Sequence, residues 1–198
     1  MSDSITGKPQ DTDLPAWMMT GSAVKSLPEM ATASPSDNGV LKMIVSRPSP
    51  GERVLHREAL VSLEGGLEGD RWATTSWMRL DNGLSDPAVH LSLINFRVLE
   101  AISSGITERM ALAGDNLVID FNMTPDNIDL SSRLRIGEAV IELTDVAHVG
   151  CDKFLSRFGL DVCRYVNLAQ GRRLRLRGSY ARIVKAGRIC VSDTIIKA

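Results

Sequence analysis

The residue best suited to chemistry is Cys151, which follows a glycine in the segment AHVGCDKF at residues 147–154. A helix is predicted to begin directly after Cys151, and the free N–H groups of a helix N-terminus stabilise a thiolate. His148 and Lys153 lie close enough in the sequence to add positive charge. A thiolate transfers sulfur and ligates soft metals, whereas a buried, inert side chain is the commoner fate of a free cysteine. The Gly-Cys-helix context favours the chemical interpretation.

The other two cysteines have no comparable context. Cys163 falls within a predicted amphipathic helix and Cys190 within a predicted strand, so we expect both to pack in the interior. An odd, small number of cysteines without a C-x-x-C pair predicts neither a disulfide framework nor a structural zinc site. A reducing, cytoplasmic setting is the corresponding expectation.

A glycine-rich segment, GLEGDR at residues 66–71, is a candidate anion site. A tight turn at Gly69 can present backbone N–H groups to an anion, and Arg71 can hold a phosphate or carboxylate with two hydrogen bonds. Asp70 can orient Arg71 or a ligand amine. A plain loop with a surface Asp–Arg pair is the alternative, and this segment taken alone favours it.

A second glycine turn, AGDNL at residues 113–117, places polar groups at the start of a strand. Gly114 and Asn116 are its candidate ligand-binding residues. The alternative is an ordinary turn in which Asp115 and Asn116 satisfy backbone donors, and the segment alone does not exclude it.

A group of cations lies in GRRLRLRG at residues 171–178. If this segment is a strand, Arg173, Arg175 and Arg177 point to one face and the leucines between them point to the core. Three arginines on one face form a local anion site. A solvated edge strand whose charge prevents aggregation is an equally supported alternative.

Short strands with few helices are predicted to position these segments. Apolar alternation predicts strands at 41–45, 59–63, 90–93 and 116–120, hairpins at 134–143 and 173–196, and helices from 96, at 152–158 and at 161–170. Asn95 and Asp161 are the predicted N-caps of the first and last helix. The pattern is typical of a mixed, mainly β fold: a β-barrel or sandwich with short helical insertions.

Residues 1–38 differ from the rest of the chain, because proline, serine, threonine and aspartate dominate and no period is sustained. They are predicted to form a flexible tail, with an apolar cluster at residues 17–19, before one domain at 39–198. The net charge of −1 gives no support for nucleic-acid binding. No apolar run has the length of a membrane span, and no secretory leader is recognisable.

Taken in order, these segments resemble the MOSC family, named after the C-terminal part of molybdenum cofactor sulfurases. The resemblance covers residues 40–196 and rests on GLEGDR (66–71), SLI before a helix (92–94), GDNL (114–117), LRIGEAVIELT (134–144), GCDKF (150–154) and RGSYARIV (177–184). The first block and the cysteine block are the specific ones.

The resemblance implies a β-barrel-like fold and an association with the molybdenum cofactor, a molybdopterin that carries a terminal phosphate. It implies that Cys151 carries sulfur as a persulfide, or ligates molybdenum as in reductase members. The residues expected to bind the cofactor are Gly69, Asp70, Arg71, Gly114, Asn116, Lys153, Arg177 and Arg182.

Two positions depart from the family pattern: Trp72 stands where the family often has histidine, and Asp115 where it usually has glutamate. The chain has no room for the pyridoxal-phosphate desulfurase domain of larger relatives, so pyridoxal phosphate is not expected on it. A separate cysteine desulfurase would then supply sulfur, and a molybdoenzyme or cofactor would accept it.

Three hypotheses follow from the resemblance. The first is a sulfur carrier or cofactor-binding module that works through Cys151. The second is a molybdenum-dependent reductase of N-hydroxylated compounds, in which Cys151 ligates the metal. The third is a binding domain without chemistry, in which Cys151 is merely packed.

Overall fold

The computed structural model describes residues 18–198, and its main element is a closed barrel of seven strands with an eighth strand attached to its wall. The strands are β1 Gly39–Ser46, β2 Val54–His56, β3 Glu58–Ser62, β4 Gly66–Leu67, β5 Leu91–Asn95, β6 Leu117–Asp120, β7 Arg133–Ile136, β8 Ala139–Leu143, β9 Ser179–Lys185, β10 Gly187–Cys190 and β11 Thr194–Lys197. The barrel runs β1-β6-β5-β9-β8-β7-β11 and returns to β1, with β2 added beside β1. The prediction of a mainly β, barrel-like fold with short helices is confirmed.

Closure of the barrel depends on the pairing of β1 with β11, where Gly39 lies opposite Ile195 and Val40 opposite Thr194. A side chain at Gly39 would collide with the neighbouring strand, because its Cβ would lie 2.6 Å from the Asp120 carbonyl oxygen. All barrel pairs are antiparallel except β5 with β6. A separate sheet of β10, β3 and β4 packs apolar side chains onto the barrel interior.

Period-two alternation sends one set of side chains into the barrel and the other outward. On β5 and β6, Leu93 and Leu117 belong to the apolar cluster inside the barrel, the inner cluster. Ile94 and Val118 point outward and are buried in a second apolar cluster, the outer cluster. Helices therefore cover the outer face of β1, β5 and β6 and shield it from solvent.

The helices are α1 Leu27–Thr32, α2 Trp72–Thr75, α3 Phe96–Ile102, α4 Thr107–Leu112, α5 Asp152–Phe158, α6 Leu160–Asn167 and α7 Ala169–Arg173, with 3-10 turns at Gly21–Ser26 and Pro87–Val89. Asn95 caps α3 by accepting a hydrogen bond from the Val98 N–H at 3.1 Å, as predicted. Within residues 18–198, no helix has the length and apolar character needed to cross a membrane.

The predicted flexible tail is wrong for its second half. The 3-10 turn at 21–26 and α1 bury Val24, Leu27 and Ala31 in the outer cluster, because the outer face of the barrel wall needs an apolar cover. The Asp161 carboxylate accepts a hydrogen bond from the Gly21 N–H at 2.7 Å rather than capping its own helix. The remainder of the predicted tail, including Trp17, lies outside the described residues.

The predicted strand through the arginine-rich segment is also wrong. Residues 169–173 form α7, and Arg175 has a φ of +53°, which no strand residue adopts. Its guanidinium donates to the carbonyl oxygens of Met123 and Ile128 at 2.7 and 2.8 Å, so the turn is held by interactions distant in sequence. Leu174 is buried as expected, but the three arginines share no face.

The C-terminal hairpin and the last predicted helix differ as well. Strand β9 pairs with β5 and β8, whereas β10 pairs with β3 and β11 closes the barrel, so no two of these strands form a hairpin. The helix predicted at 161–170 is divided into α6 and α7, because Leu168 is extended, with a ψ of 161°.

Candidate functional site

A cavity of about 520 Å³ lies where several loops converge at one side of the barrel. The loops that follow β1, β4 and β8 and those that precede β6 and β9 supply its walls, together with the start of α5. Its lining contains residues from five of the six sequence blocks on which the family resemblance rests, all except residues 134–144. These blocks lie far apart in the chain.

Cys151 lies in this wall as the N-cap of α5, and its side chain is exposed. The predicted start of the helix directly after Cys151 is confirmed. Lys153, in the first turn of α5, lines the same cavity. The sequence therefore placed both residues correctly relative to each other, and the barrel places them beside the glycine turns.

One wall of the cavity is built on an arginine that sequence reasoning missed. Arg47 donates to both carboxylate oxygens of Asp70, at 2.8 and 3.1 Å, and also to the Gly114 carbonyl and the Asn116 side-chain oxygen. Asp70 is almost fully buried and further accepts from the Trp72 N–H. Asp70 therefore binds Arg47 rather than orienting Arg71.

A second wall of the cavity is built on a buried ion pair. The Arg177 guanidinium donates to Asp115 at 2.7 Å and to the Ala113 carbonyl, and it stacks on the Phe154 ring. Burial raises the pKa of Asp115, and the positive charge of Arg177 opposes that rise. The Nε atom of Arg177 and the Oδ1 atom of Asp115 are buried without a hydrogen-bond partner among residues 18–198.

His148 packs between these groups and Tyr180, with ring centroids 4.3 Å apart. Its Nε2 lies 3.7 Å from Asp115 Oδ1, and its side chain is only 6% exposed. Burial, reinforced by the positive charge of Arg177, holds the pKa of His148 well below its ordinary value. The expectation that His148 adds positive charge beside Cys151 is therefore wrong at neutral pH.

Four further cations line the cavity without a carboxylate partner in the described part of the chain: Arg53, Arg71, Lys153 and Arg157. Burial lowers the pKa of Arg53, and repulsion by Arg157, Arg47 and Arg71 lowers it further. The guanidiniums of Arg53 and Arg157 both approach Gly114, where a Cβ would lie 3.2 Å from Arg53 Nη2. Like charges held this close are typical of an anion site.

The expected cofactor-binding residues divide into two groups. Asp70, Arg71, Gly114, Lys153 and Arg177 line the cavity with Cys151, whereas Gly69, Asn116 and Arg182 do not.

Each of these three has another role. Gly69 has a φ of +75° and forms the turn that positions Asp70. Asn116 is fully buried beneath the cavity and bonded to Arg47, Asp70 and Ser92. Arg182 is half exposed on β9 and paired with Glu142 at 3.1 Å.

Sequence reasoning missed Arg47, Arg53 and Arg157 and gave Asp115 only a turn-forming role. Nothing in the spacing marks these residues. Arg47 and Arg53 reach the cavity from the loop between β1 and β2 and Arg157 from α5, and only the closed barrel brings that loop and that helix together. The single available signal is the strand end at Ser46, after which Arg47 follows directly.

Among residues 18–198, no group of three or more histidine, cysteine, aspartate or glutamate side chains is placed to hold a metal ion. The cations present fit a phosphate-bearing cofactor, because they line the cavity without a carboxylate partner among residues 18–198 and the buried Arg53 Nε has no hydrogen-bond partner in that range.

Comparison with protein-family models and with curated proteins finds no match. Solved structures do match: YiiM from Escherichia coli is 17% identical with a TM-score of 0.52, over 80% of this chain and 69% of that one. The YuaD protein from Bacillus subtilis is 13% identical with a TM-score of 0.54, over 79% and 93%. A protein described as hypothetical is 19% identical with a TM-score of 0.55, over 81% and 68%.

At these identities the comparisons concern the fold alone. The chain has a MOSC-like fold.

Proposed function

We propose that the chain binds a phosphate-bearing ligand of the molybdenum-cofactor type in this cavity and that Cys151 accepts and passes on sulfur there. The observation that carries the proposal is the coincidence of an exposed thiol with four cations that have no carboxylate partner among residues 18–198. An anion is the ligand that relieves such repulsion, and the Cys151 thiol supplies a soft nucleophile in the wall of the same cavity.

The unpaired cations have the role of binding the phosphate. Arg71 and Arg53 can each donate two parallel hydrogen bonds to phosphate oxygens, and Lys153 contributes a point charge beside Cys151. The glycine at position 114 keeps the wall low enough for Arg53 to approach. The pairs Arg47–Asp70 and Arg177–Asp115 fix the walls rather than bind the ligand.

Cys151 has the role of sulfur acceptor. Its thiolate attacks the outer sulfur of a persulfide on a separate donor protein, such as a cysteine desulfurase. The donor S–S bond breaks, the donor cysteine leaves as a thiolate, and Cys151 carries the persulfide. No external oxidant is needed, since the sulfane sulfur keeps its oxidation state.

A molybdenum cofactor, when bound, would supply a metal that accepts sulfur or that removes the oxygen atom from an N-hydroxylated compound. The residues of this chain that would hold it are Arg53, Arg71, Lys153 and Arg157 at the phosphate, with the Cys151 thiolate available as a ligand. A reductase of N-hydroxylated compounds is therefore the second candidate function, and the exposed Cys151 sulfur in the cavity wall is the observation that favours it.

The test is intact-mass spectrometry of the purified protein before and after incubation with a cysteine desulfurase and cysteine, with molybdenum measured in the same sample. We expect a mass gain of one sulfur atom that maps to Cys151. The Cys151→Ser variant should not load sulfur. Cys190→Ser is the matched control and should load like the wild type, because Cys190 lies on β10 outside the cavity.

The outcomes separate the hypotheses. Sulfur loading without metal supports the carrier, and stoichiometric molybdenum lost on Cys151→Ser substitution supports the reductase. Undiminished loading of the Cys151→Ser variant contradicts the carrier role. An unreactive Cys151 together with no bound metal leaves the third hypothesis, a binding domain without chemistry.

A further inference from the structure

The second cysteine of this region, Cys163, lies directly beneath the segment that carries Cys151. A Cβ on Gly150 would be 3.0 Å from Cys163 Sγ, 3.2 Å from Asn167 Nδ2 and 3.3 Å from the Phe154 ring. Gly150 does not have a positive φ, so the space available, and not the backbone conformation, requires glycine there. The glycine before Cys151 therefore allows the sulfur of Cys163 to approach.

Asn167 holds the two segments together. Its side-chain oxygen accepts from the Gly150 N–H and its Nδ2 donates to the Gly150 carbonyl, each at 2.9 Å. The same Nδ2 lies 3.8 Å from Cys163 Sγ. The peptide unit next to Cys151 is thus bound to the turn of α6 that bears Cys163.

The two thiols differ in exposure, as the members of a reactive pair do. Cys151 is exposed in the cavity wall, whereas Cys163 is 8% exposed. Burial raises the pKa of the Cys163 thiol, and a negative charge on Cys151 raises it further. An oxidant therefore meets Cys151 first, and Cys163 is kept as a protonated thiol behind it.

We propose that Cys163 is the resolving partner of Cys151 and that the two form a disulfide when a hydroperoxide oxidises Cys151. The Cys151 thiolate attacks the peroxide, the O–O bond breaks, and Cys151 becomes a sulfenic acid as hydroxide or alkoxide leaves. Cys163 Sγ then attacks the Cys151 sulfur, the S–O bond breaks, and water leaves with the Cys163 proton. Two thiols lose two electrons and two protons, the peroxide is reduced, and an external dithiol reverses the reaction.

The disulfide would remove the thiol that the proposed function needs and would also protect Cys151 from irreversible oxidation. The inference rests on the contacts of Gly150, Asn167 and Cys163 and does not depend on sulfur transfer. Sulfur loading is measured on the reduced protein, so its failure would leave the disulfide untouched, and the reverse is also true.

The experiment treats the reduced protein with a small molar excess of hydrogen peroxide, blocks the remaining thiols with N-ethylmaleimide in denaturant, and maps tryptic peptides. Lys153 and Arg157 lie between the two cysteines, so trypsin releases Cys151 and Cys163 in separate peptides, 136–153 and 158–164. We expect these peptides to be linked in the wild type and released by a reductant. The Cys190→Ser variant is the matched control and should give the same link.

The Cys163→Ser variant should lack the link and should accumulate Cys151 in the sulfinic and sulfonic forms at the same peroxide dose. The proposal is overturned if Cys163 of the wild type is fully alkylated at a dose that consumes Cys151. A link from Cys151 to Cys190, or between two chains only, also overturns it. The wild-type map decides the question even if the Cys163→Ser variant does not fold.

Discussion

Two sets of cationic side chains line one cavity, and they differ in what they hold. Arg47 and Arg177 each bind a carboxylate that is almost fully buried, Asp70 and Asp115. Arg53 and Arg71 bind no carboxylate within residues 18–198, and Arg53 is surrounded by other cations. The charges of Arg47 and Arg177 are neutralised by carboxylates of the fold, whereas the charges of Arg53 and Arg71 are available to a bound anion.

The difference indicates how a protein can build a cationic cavity and still fold. A buried carboxylate without its partner is costly, so the two paired arginines stabilise the folded state. The Arg71 guanidinium faces the cavity and neutralises no buried carboxylate in the described chain, so its removal should cost the fold little. Stability and ligand binding should therefore respond to different arginines.

The largest expected effect is on stability, from Arg177→Met. This substitution leaves the fully buried Asp115 without its counter-charge, and we expect the free energy of unfolding to fall by about 3–5 kcal/mol. Urea denaturation measures it. Adding Asp115→Leu should restore much of the loss, because an apolar pair can replace a buried ion pair. A loss below about 1 kcal/mol in the single variant would contradict the distinction.

The next effect is on binding, from Arg71→Met. We expect the affinity for inorganic pyrophosphate, measured by titration calorimetry, to fall about tenfold, which corresponds to about 1.4 kcal/mol. The free energy of unfolding should change by less than about 0.5 kcal/mol, since Arg71 has no ion pair in the described chain. Arg182→Met removes the same charge outside the cavity and should leave the affinity unchanged. Equal losses in both variants would mean that net charge alone governs binding.

The smallest effect is a pH dependence from His148. Its pKa is lowered in the fold from an ordinary value near 6.5, so the unfolded chain takes up a proton as the pH falls through that value and the folded chain does not. Stability is therefore lost on acidification, by roughly 1 kcal/mol at most for this group between about pH 7.5 and 5.5. The pKa of His90 is lowered by burial and acts in the same direction.

Comparison of the wild type with His148→Gln isolates the histidine, since Asp115, with its raised pKa, acts in the opposite direction in both proteins. The variant should lose less stability than the wild type when urea midpoints are measured across that pH range. Parallel pH profiles would show that His148 is not held neutral by the walls of the cavity.

Local patterns in the sequence predicted much of the barrel. Alternation marked β1 and β6, and Asn95 marked the start of α3, because each signal acts over a few residues. The same reasoning failed where distant contacts decide. Alternation predicted a strand through Arg175, but the carbonyls that its guanidinium caps lie about fifty residues away in the sequence.

The site was predictable in part, for the same reason. Cys151, Lys153 and Arg71 lie in short motifs, whereas Arg53 and Arg157 reach the cavity only through the packing of separate loops. Asn116 was predicted to bind the cofactor, but it is buried beneath Arg47, and this burial depends on β1, which lies far from Asn116 in the chain.

The pairing of β1 with β11 has a consequence for the biosynthesis of this protein. Strand β1 is made near the start of the described chain and β11 near its end, yet they are neighbours in the closed barrel. Until β11 has left the ribosome, the outer edge of β7 and the end of β1 at Gly39 and Val40, which β2 does not cover, stay open and could pair with another chain. Closure across such a sequence separation is slow, so the nascent chain passes through an open sheet that chaperones would have to shield.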